Sequence, residues 1–355
     1  MTTTETPTQA TTYRRVTIPK AGSYHRLQFE ELPALTPGPG EVVIEVKATG
    51  VNYADCIVRM GLYASAKEFV GWPITPGFEV AGTVAALGEG VEDLEVGARV
   101  LAVTLFNGYA SQVCVPRHQV FAIPSRLSFE QAAAVPAVFA TAYYGLIELA
   151  RPRAGQKVLV HSAAGGVGGS LVQLAKVVGC EVVGVVGGSH KVEAAKAFGC
   201  DHVVDKSKEP LWPTVERYVP GGFDMVADAN GVATLKQSYE HLRTPGKLIV
   251  YGFHTMMPKA GGKPKWGKLI SGYLRTPRFN PLDMTTRSKS VLAFNLSYLF
   301  EETWLMAEAM NAISGWLEDG SIQPPPVTTY PLDKVADAHR DLESGTTVGK
   351  LVLIP

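Results

Sequence analysis

Residues 157–178, KVLVHSAAGGVGGSLVQLAKVV, constrain the fold more than any other stretch. An apolar run of strand length meets a turn holding Gly165, Gly166, Gly168 and Gly169, and an apolar helical period follows. Glycines at such a turn permit positive φ and close backbone approach, which leaves the first amides of the helix open to grip a phosphate. EVVGVV closes the first round, and two more follow, through HVVD and helix-like LWPTVERYV to FDMVAD, then through TLKQSYEHL to GKLIVYG. Strands alternating with helices in this way predict a parallel, doubly wound α/β sheet that takes its ligand outside the carboxyl ends of the strands.

Upstream the pattern changes. From Tyr13 to about Pro124, β-branched runs alternate with turn signals: VVIEVKATGV after PGPGE, VAGTVAALG after TPGFE, ARVLAVTLF after EVG. They predict a β-rich barrel or sandwich. Residues 1–12 hold seven threonines and no apolar period, so they read as a flexible tail. VTTYPL and VGKLVLIP near the C-terminus read as strands returning to the first domain, so residues 13–135 with 320–355 form one domain and 136–319 are inserted. Residues 254–290 lack a clear period and exceed an ordinary loop, which predicts a lid or a small helical insertion. A length of 355 residues suits two domains. Lys+Arg 33 against Asp+Glu 33 gives no global attraction for nucleic acid. Four cysteines without CxxC spacing, no apolar leader and no run of about 20 apolar residues point to a reducing cytoplasm and to no membrane span.

In NAD sites a carboxylate about 20 residues past the glycine turn takes the ribose 2′-hydroxyl. Here the strand end reads Gly187-Gly188-Ser189-His190-Lys191, without an acid. That spares a 2′-phosphate from repulsion, while Ser189 supplies a hydrogen-bond donor and Lys191 a charge. Lys206, after the next strand, is a second candidate cation; for both lysines solvated surface is the alternative. The expectation is NADPH, held by Ala164, Gly165, Gly166, Val167 and Gly168 at the turn and by Gly187, Ser189, Lys191 and Lys206 around the phosphorylated ribose, with His190 flanking.

GVNYADCIVRMGLY, PGFEVAGTV, EVGARV, AAGGVGG and VGKLVLIP together resemble the quinone oxidoreductase branch of the medium-chain dehydrogenase/reductase superfamily, over nearly all of residues 13–355. FNPLDMTTRSKSVLAFNLSYLF resembles more narrowly the relatives named after the vesicle amine transport protein. The resemblance implies a GroES-like substrate domain, a Rossmann cofactor domain and a homodimer joined through edge strands. It implies that Asn52, Tyr53 and Tyr63 lie beside the nicotinamide as donors to a carbonyl oxygen, with Asp55 at the superfamily's retained acid. It brings Thr141, Tyr251, Gly252, Phe253, Phe294, Asn295, Leu296 and Lys350 to the cofactor, with Asn230. The residues alone do not single out a general acid, since each of the four candidates has core packing or capping as its alternative role.

Zinc-dependent alcohol dehydrogenases of the superfamily carry Cys and His where Asn52 and Tyr53 stand, and a second His at Phe78. An amide and a phenylalanine do not give zinc its N/S ligands, although Asp55 and Glu79 remain. A structural-zinc lobe needs four close cysteines, and only Cys114 falls between Glu92 and Arg117. No metal is expected, and Cys180 and Cys200, each after a glycine, read as buried thiols. Hydrolase and P-loop signatures are absent.

The 254–290 insertion carries eight Lys and Arg against Asp283 alone, interleaved with Met256, Trp266, Tyr273 and Leu274. Such a composition suits contact with anionic lipid, or a solvated lid or dimer contact. Two functions follow: an NADPH-dependent, zinc-independent reductase of quinones or α,β-unsaturated carbonyls, or a lipid-surface protein that keeps the nucleotide fold with little turnover.

Overall fold

A computed structural model describes residues 11–355. The expected tail falls mostly outside the described residues, and Thr12 already opens a strand. The described residues form two compact units, one of those up to Ala133 with Thr329–His339 and Leu351–Pro355, the other of Ala134–Thr328 and Arg340–Lys350.

The first unit is built on β1 (Thr12–Thr17), β2 (Gln28–Pro33), β3 (Glu41–Val51), β4 (Glu79–Leu87), β5 (Arg99–Val103), β6 (Gln112–Pro116) and β7 (Val120–Ala122). The second holds β8 (Lys157–His161), β9 (Glu181–Val186), β10 (His202–Asp205), β11 (Phe223–Asp228), β12 (Leu242–Val250) and β13 (Lys289–Ala293); β14 (Val327–Pro331) and β15 (Lys350–Ile354) close the chain.

In the first unit β1 and β2 form a hairpin, and a seven-stranded sheet runs β14-β15-β3-β4-β5-β7 with β6 on β3. The period of two in β3 explains its role: Val42, Ile44 and Val46 turn to one face and pack with Val80, Val84, Val100, Val113 and Val115. β15 returns to β3 antiparallel, Val352 opposite Gly50.

The second unit's sheet is parallel throughout, in the order β10-β9-β8-β11-β12-β13. Helices cover both faces of such a sheet, so its strands read as continuous apolar runs; Val158, Leu159 and Val160 are all wholly buried. Removing a Val or Leu side chain of this kind from water contributes about 1.5–3 kcal/mol. The Ala-rich stretch after Phe129 is helical over Phe129–Ala133, Pro136–Ala142 and Tyr143–Ala150.

Of the two forms expected for 254–290 the structure has the helical one, and the domain boundaries shift for physical reasons. The 254–290 insertion contains two helices, Trp266–Arg275 and Pro281–Arg287, the second capped where the Asn280 side chain accepts from Leu282 N–H. Residues 320–328 go with the second unit because the Gln173 side chain clasps the Gln323 backbone at 2.7 and 3.1 Å. Residues 340–350 follow, since Gly349 N–H donates to Ala164 C=O at 3.1 Å. Among the described residues no helix is long and apolar enough to cross a membrane.

Candidate active site

The parallel order brings the ends of β8, β9, β11, β12 and β13 to one edge of the sheet, and most of the expected cofactor residues stand there. After β8 the chain reverses through Ser162, at φ +57°, and Gly165 N–H closes the turn on Ser162 C=O. A Cβ at Gly168 would stand 2.1 Å from the Ser162 oxygen, so the sharp entry into the helix Gly166–Val178 requires glycine there. Ala164, Gly165, Gly166 and Val167 form the loop and first turn of that helix.

At the end of β9 the arrangement differs from expectation. Ser189 is not an open donor: its hydroxyl donates to Asp205 Oδ2 at 2.6 Å. An acid from the end of β10, Asp205, therefore lies beside Ser189 and takes up its proton. Ser189 and Ser207 hydrogen bonds hold the Asp205 carboxyl below its usual range. Lys191 reaches Gly345 C=O at 2.7 Å and His190 contacts Thr346 C=O at 3.0 Å. Partial burial and then the Lys206 ammonium hold Lys191 below the ordinary lysine range, and partial burial and then Lys259 do the same to Lys206. Lys206 thus repels Lys191 on one side and is repelled by Lys259 on the other, and such a set of cations favours an anion. Lys259 was not singled out from the sequence, because it is distant in the chain from the other two.

Beyond β11 stands a buried hub that sequence reasoning missed. Asp228 Oδ1 accepts from Asn230 N–H at 2.8 Å and Gly231 N–H at 3.1 Å, and Oδ2 accepts from the Thr234 and Ser238 hydroxyls at 2.7 and 2.8 Å. Ser238 spends its proton on Asp228, so His161 Nε2, 3.1 Å away, donates to it. Burial pushes the His161 imidazole down to about 4, and it is neutral near pH 7. The only sequence signal was position: a His and an Asp each closing a strand.

Asn230 is 1% exposed, and its side-chain oxygen accepts no hydrogen bond from the described residues. Tyr251 and Gly252 follow β12 against 228–229, and burial pushes the Tyr251 phenol far up. Phe253 is exposed. Phe294 packs edge-on against Tyr144, and the Asn295 side chain accepts from Ser297 N–H ahead of Leu296 in the short helix Leu296–Leu299. Gly187 lies open at the end of β9 with Lys206 alongside. Thr141 and Lys350 do not stand at the carboxyl ends of the parallel strands: the Thr141 hydroxyl donates to Ala137 C=O at 2.6 Å, and Lys350, which opens β15, is buried with its N–H on Pro326 C=O.

In the first unit, Asn52 caps the helix Tyr53–Arg59. Its N–H donates to Asp55 Oδ2 at 2.8 Å, and Asp55 Oδ1 accepts from Gly77 N–H at 2.8 Å. The Asn52 Nδ2 donates to Glu79 Oε1 at 2.8 Å. Glu79 lies flat over Gly50, where a Cβ would come within 2.3 Å of the carboxylate. Asn52 and Asp55 are thus brought together, with Glu79 added. Tyr63 belongs instead to an aromatic group with Phe78 and Phe106, at centroid distances of 5.8 and 6.5 Å, and Tyr53 is half-buried at the head of the helix.

Against known proteins, one family profile, described as alcohol dehydrogenase GroES-like domain, matches residues 38–141, and a second, described as zinc-binding dehydrogenase, matches 198–353. The human synaptic vesicle membrane protein VAT-1 homolog is 33% identical over 336 residues, covering 94% of this chain and 84% of its own. The chain belongs to the medium-chain dehydrogenase/reductase superfamily. Within the superfamily it falls in the VAT-1-like subgroup. Escherichia coli quinone oxidoreductase complexed with NADPH superposes with a TM-score of 0.82 at 27% identity, covering 96% of this chain and 100% of that one. The CurK enoyl reductase gives 0.82 at 26% identity, covering 96% and 99%.

Medium-chain dehydrogenases/reductases use NAD(P)H, and the residues of this chain fit such a dinucleotide. The buried, unpartnered Asn230 oxygen requires an O–H or N–H donor, which a ribose hydroxyl provides. The residues do not fit a zinc ion. Among the described residues no three His, Cys, Asp or Glu side chains converge as ligands. The Asn52 amide is bonded to Glu79 and the Phe78 ring is packed among aromatics. Burial pushes the Cys180 and Cys200 thiols up to about 11 and about 12, so neither is a ready thiolate.

Proposed function

We propose that this chain is an NADPH-dependent, zinc-independent reductase that transfers hydride to quinones or α,β-unsaturated carbonyl compounds. The observation that carries the reading is the Asn52 side chain, tied to Glu79 where metal-dependent members of the superfamily place a ligand. NADPH, when bound, supplies the hydride. The protein's part is to stabilise the negative charge that develops on the acceptor oxygen, for which the Asn52 amide and the Tyr63 phenol are neutral donors; one preorganised donor of that type is worth about 100- to 1,000-fold in rate. Conjugated acceptors suit such modest donors, because the charge is already spread over a quinone or enolate. Lys191 and Lys206 hold the 2′-phosphate, and Asn230 accepts from a ribose hydroxyl. The names of the quinone oxidoreductase and enoyl reductase neighbours support both acceptor classes. We take the chain to act as a homodimer joined through β13, the outer strand of the parallel sheet.

Steady-state NADPH consumption over a panel of small quinones and enones, run beside NADH, tests this reading. Turnover with NADPH preferred is expected, and no turnover with any acceptor would overturn it. A second property rests on a specific observation: the helix Trp266–Arg275 leaves Trp266, Tyr273 and Leu274 65%, 74% and 75% exposed, spaced to share one face among basic residues. That face suits an anionic lipid surface, alongside catalysis or in place of it.

A further inference from the structure

The end of β10 sets a carboxylate into the corner assigned to the phosphorylated ribose. β10 runs parallel to β9 with Asp205 opposite Val186, and Lys206 N–H donates to Val186 C=O at 3.2 Å, so residues 187–191 and 205–207 leave the sheet side by side at its carboxyl edge. Three donors meet the Asp205 carboxylate there. The Ser189 hydroxyl donates to Oδ2 at 2.6 Å, and Oδ1 accepts from the Ser207 N–H at 2.9 Å and the Ser207 hydroxyl at 2.6 Å. Hydrogen bonds to the charged form favour it, which is why this carboxyl is held below its usual range and is ionised near pH 7. The charge is not spent on the neighbouring lysines: among the described residues neither Lys191 nor Lys206 is ion-paired with Asp205, and Lys191 Nζ donates to Gly345 C=O at 2.7 Å instead.

The proton count then decides what this corner can recognise. Ser189 has a single hydroxyl proton, and Asp205, which when ionised can only accept, takes it; what the Ser189 oxygen keeps is lone pairs. A phosphate dianion also only accepts and gains nothing from them, whereas a ribose 2′-hydroxyl has a proton to give. Lys191 and Lys206 favour a 2′-phosphate and the Ser189–Asp205 pair favours a hydroxyl, so the two sets of groups oppose each other. We propose that Asp205 is a specificity-determining residue that narrows the preference for NADPH over NADH, by committing the Ser189 proton and by setting a negative charge beside the 2′-phosphate. The proposal rests on the reading that Lys191 and Lys206 hold that phosphate.

The test measures Kd for NADPH and for NADH by calorimetry on the full-length protein and its variants. In Asp205→Asn the amide oxygen still accepts from Ser207 while Nδ2 can donate to the Ser189 oxygen, which releases the Ser189 hydroxyl to the phosphate and removes one unit charge. NADPH should bind about tenfold more tightly and NADH within about twofold of the parent, from one charge-assisted hydrogen bond gained and one repulsion lost. A gain of this kind cannot come from damage to the fold. Ser189→Ala keeps the charge and removes the lone pairs, so NADH should weaken about threefold, as for one neutral hydrogen bond, with NADPH within about twofold. An NADPH-to-NADH ratio in Asp205→Asn within about twofold of the parent's, or moved toward NADH, overturns the proposal. Ser189→Ala losing as much affinity for NADPH as for NADH overturns it too, because Ser189 then serves the phosphate. Lys191→Ala separates the two failures. If it leaves NADPH affinity unchanged, the phosphate is not read in this corner and that reading fails together with the proposal; if it weakens NADPH while the Asp205→Asn ratio stands still, the proposal alone fails.

Discussion

Removing the Asp228 carboxylate is the sharpest perturbation of the cofactor unit. It accepts from two backbone amides and two hydroxyls in a wholly buried setting. In Asp228→Ala the Thr234 and Ser238 hydroxyls can rotate toward other acceptors, but the N–H groups of Asn230 and Gly231 cannot. Two buried donors without acceptors, at about 1–3 kcal/mol each, give a loss of about 2–6 kcal/mol. Asp228→Asn keeps an oxygen for the two amides and turns an NH2 toward hydroxyls that can accept from it, so its loss should be about 1–2 kcal/mol. Urea denaturation of both variants measures the difference. NADPH titration should show weaker binding for alanine than for asparagine, since the loop carrying Asn230 is freed. Equal losses, or a loss below about 1 kcal/mol for alanine, would refute the assignment of this carboxylate as the hub.

Three further outcomes are expected. His161 is held at about 4, below the ordinary 6.5; the unfolded chain therefore takes up a proton that the folded one refuses. Stability is complete above pH 6.5 and falls as the pH drops through about 4, by roughly 3 kcal/mol from this group, with His339 acting in the same direction; a urea midpoint in His161→Gln that falls as steeply as the parent's between pH 6.5 and 4.5 would contradict it. Lys191→Ala or Lys206→Ala should raise the KM for NADPH about tenfold, the lower end for a charge-assisted contact, and leave that for NADH unchanged; equal effects on both cofactors would remove the lysines from the phosphate site. Sedimentation with anionic vesicles should capture the protein at low salt and release it at high salt, and Trp266→Ser with Leu274→Ser should abolish capture; salt-independent capture would argue against the charged face.

The legible parts of this chain were those whose physics is local. The glycine turn at 165–169 and the apolar runs of β8, β9, β11 and β12 announce a parallel sheet, because strand, turn and helix are contiguous and each has its own period. The β-branched alternation of β3 and β4 is local in the same sense. What stayed hidden was made by pairing distant segments. Asp205 reaches Ser189 only because β10 lies beside β9. Asp228 draws its four donors from the ten residues after it, but His161 reaches Ser238 only because β8 lies beside β11, and His339 reaches Tyr109 across 230 positions. Within 254–290 a small helical insertion was one of two readings, and the bounds of its helices stayed hidden because Trp266, Tyr273, Leu274 and Leu282 are left exposed and no clear period shows. The absence of zinc ligands at Asn52 and Phe78 was readable residue by residue; that Glu79 takes up the amide required the fold.

The central claim is hydride transfer without a metal. The direct measurement supplies NADPH deuterated at the transferable position to chelator-treated protein with an α,β-unsaturated ketone, and locates the label in the product by NMR. The account predicts deuterium on the β-carbon at an undiminished rate. Product formed only when zinc is restored, or reduced ketone with no label on that carbon, would contradict it.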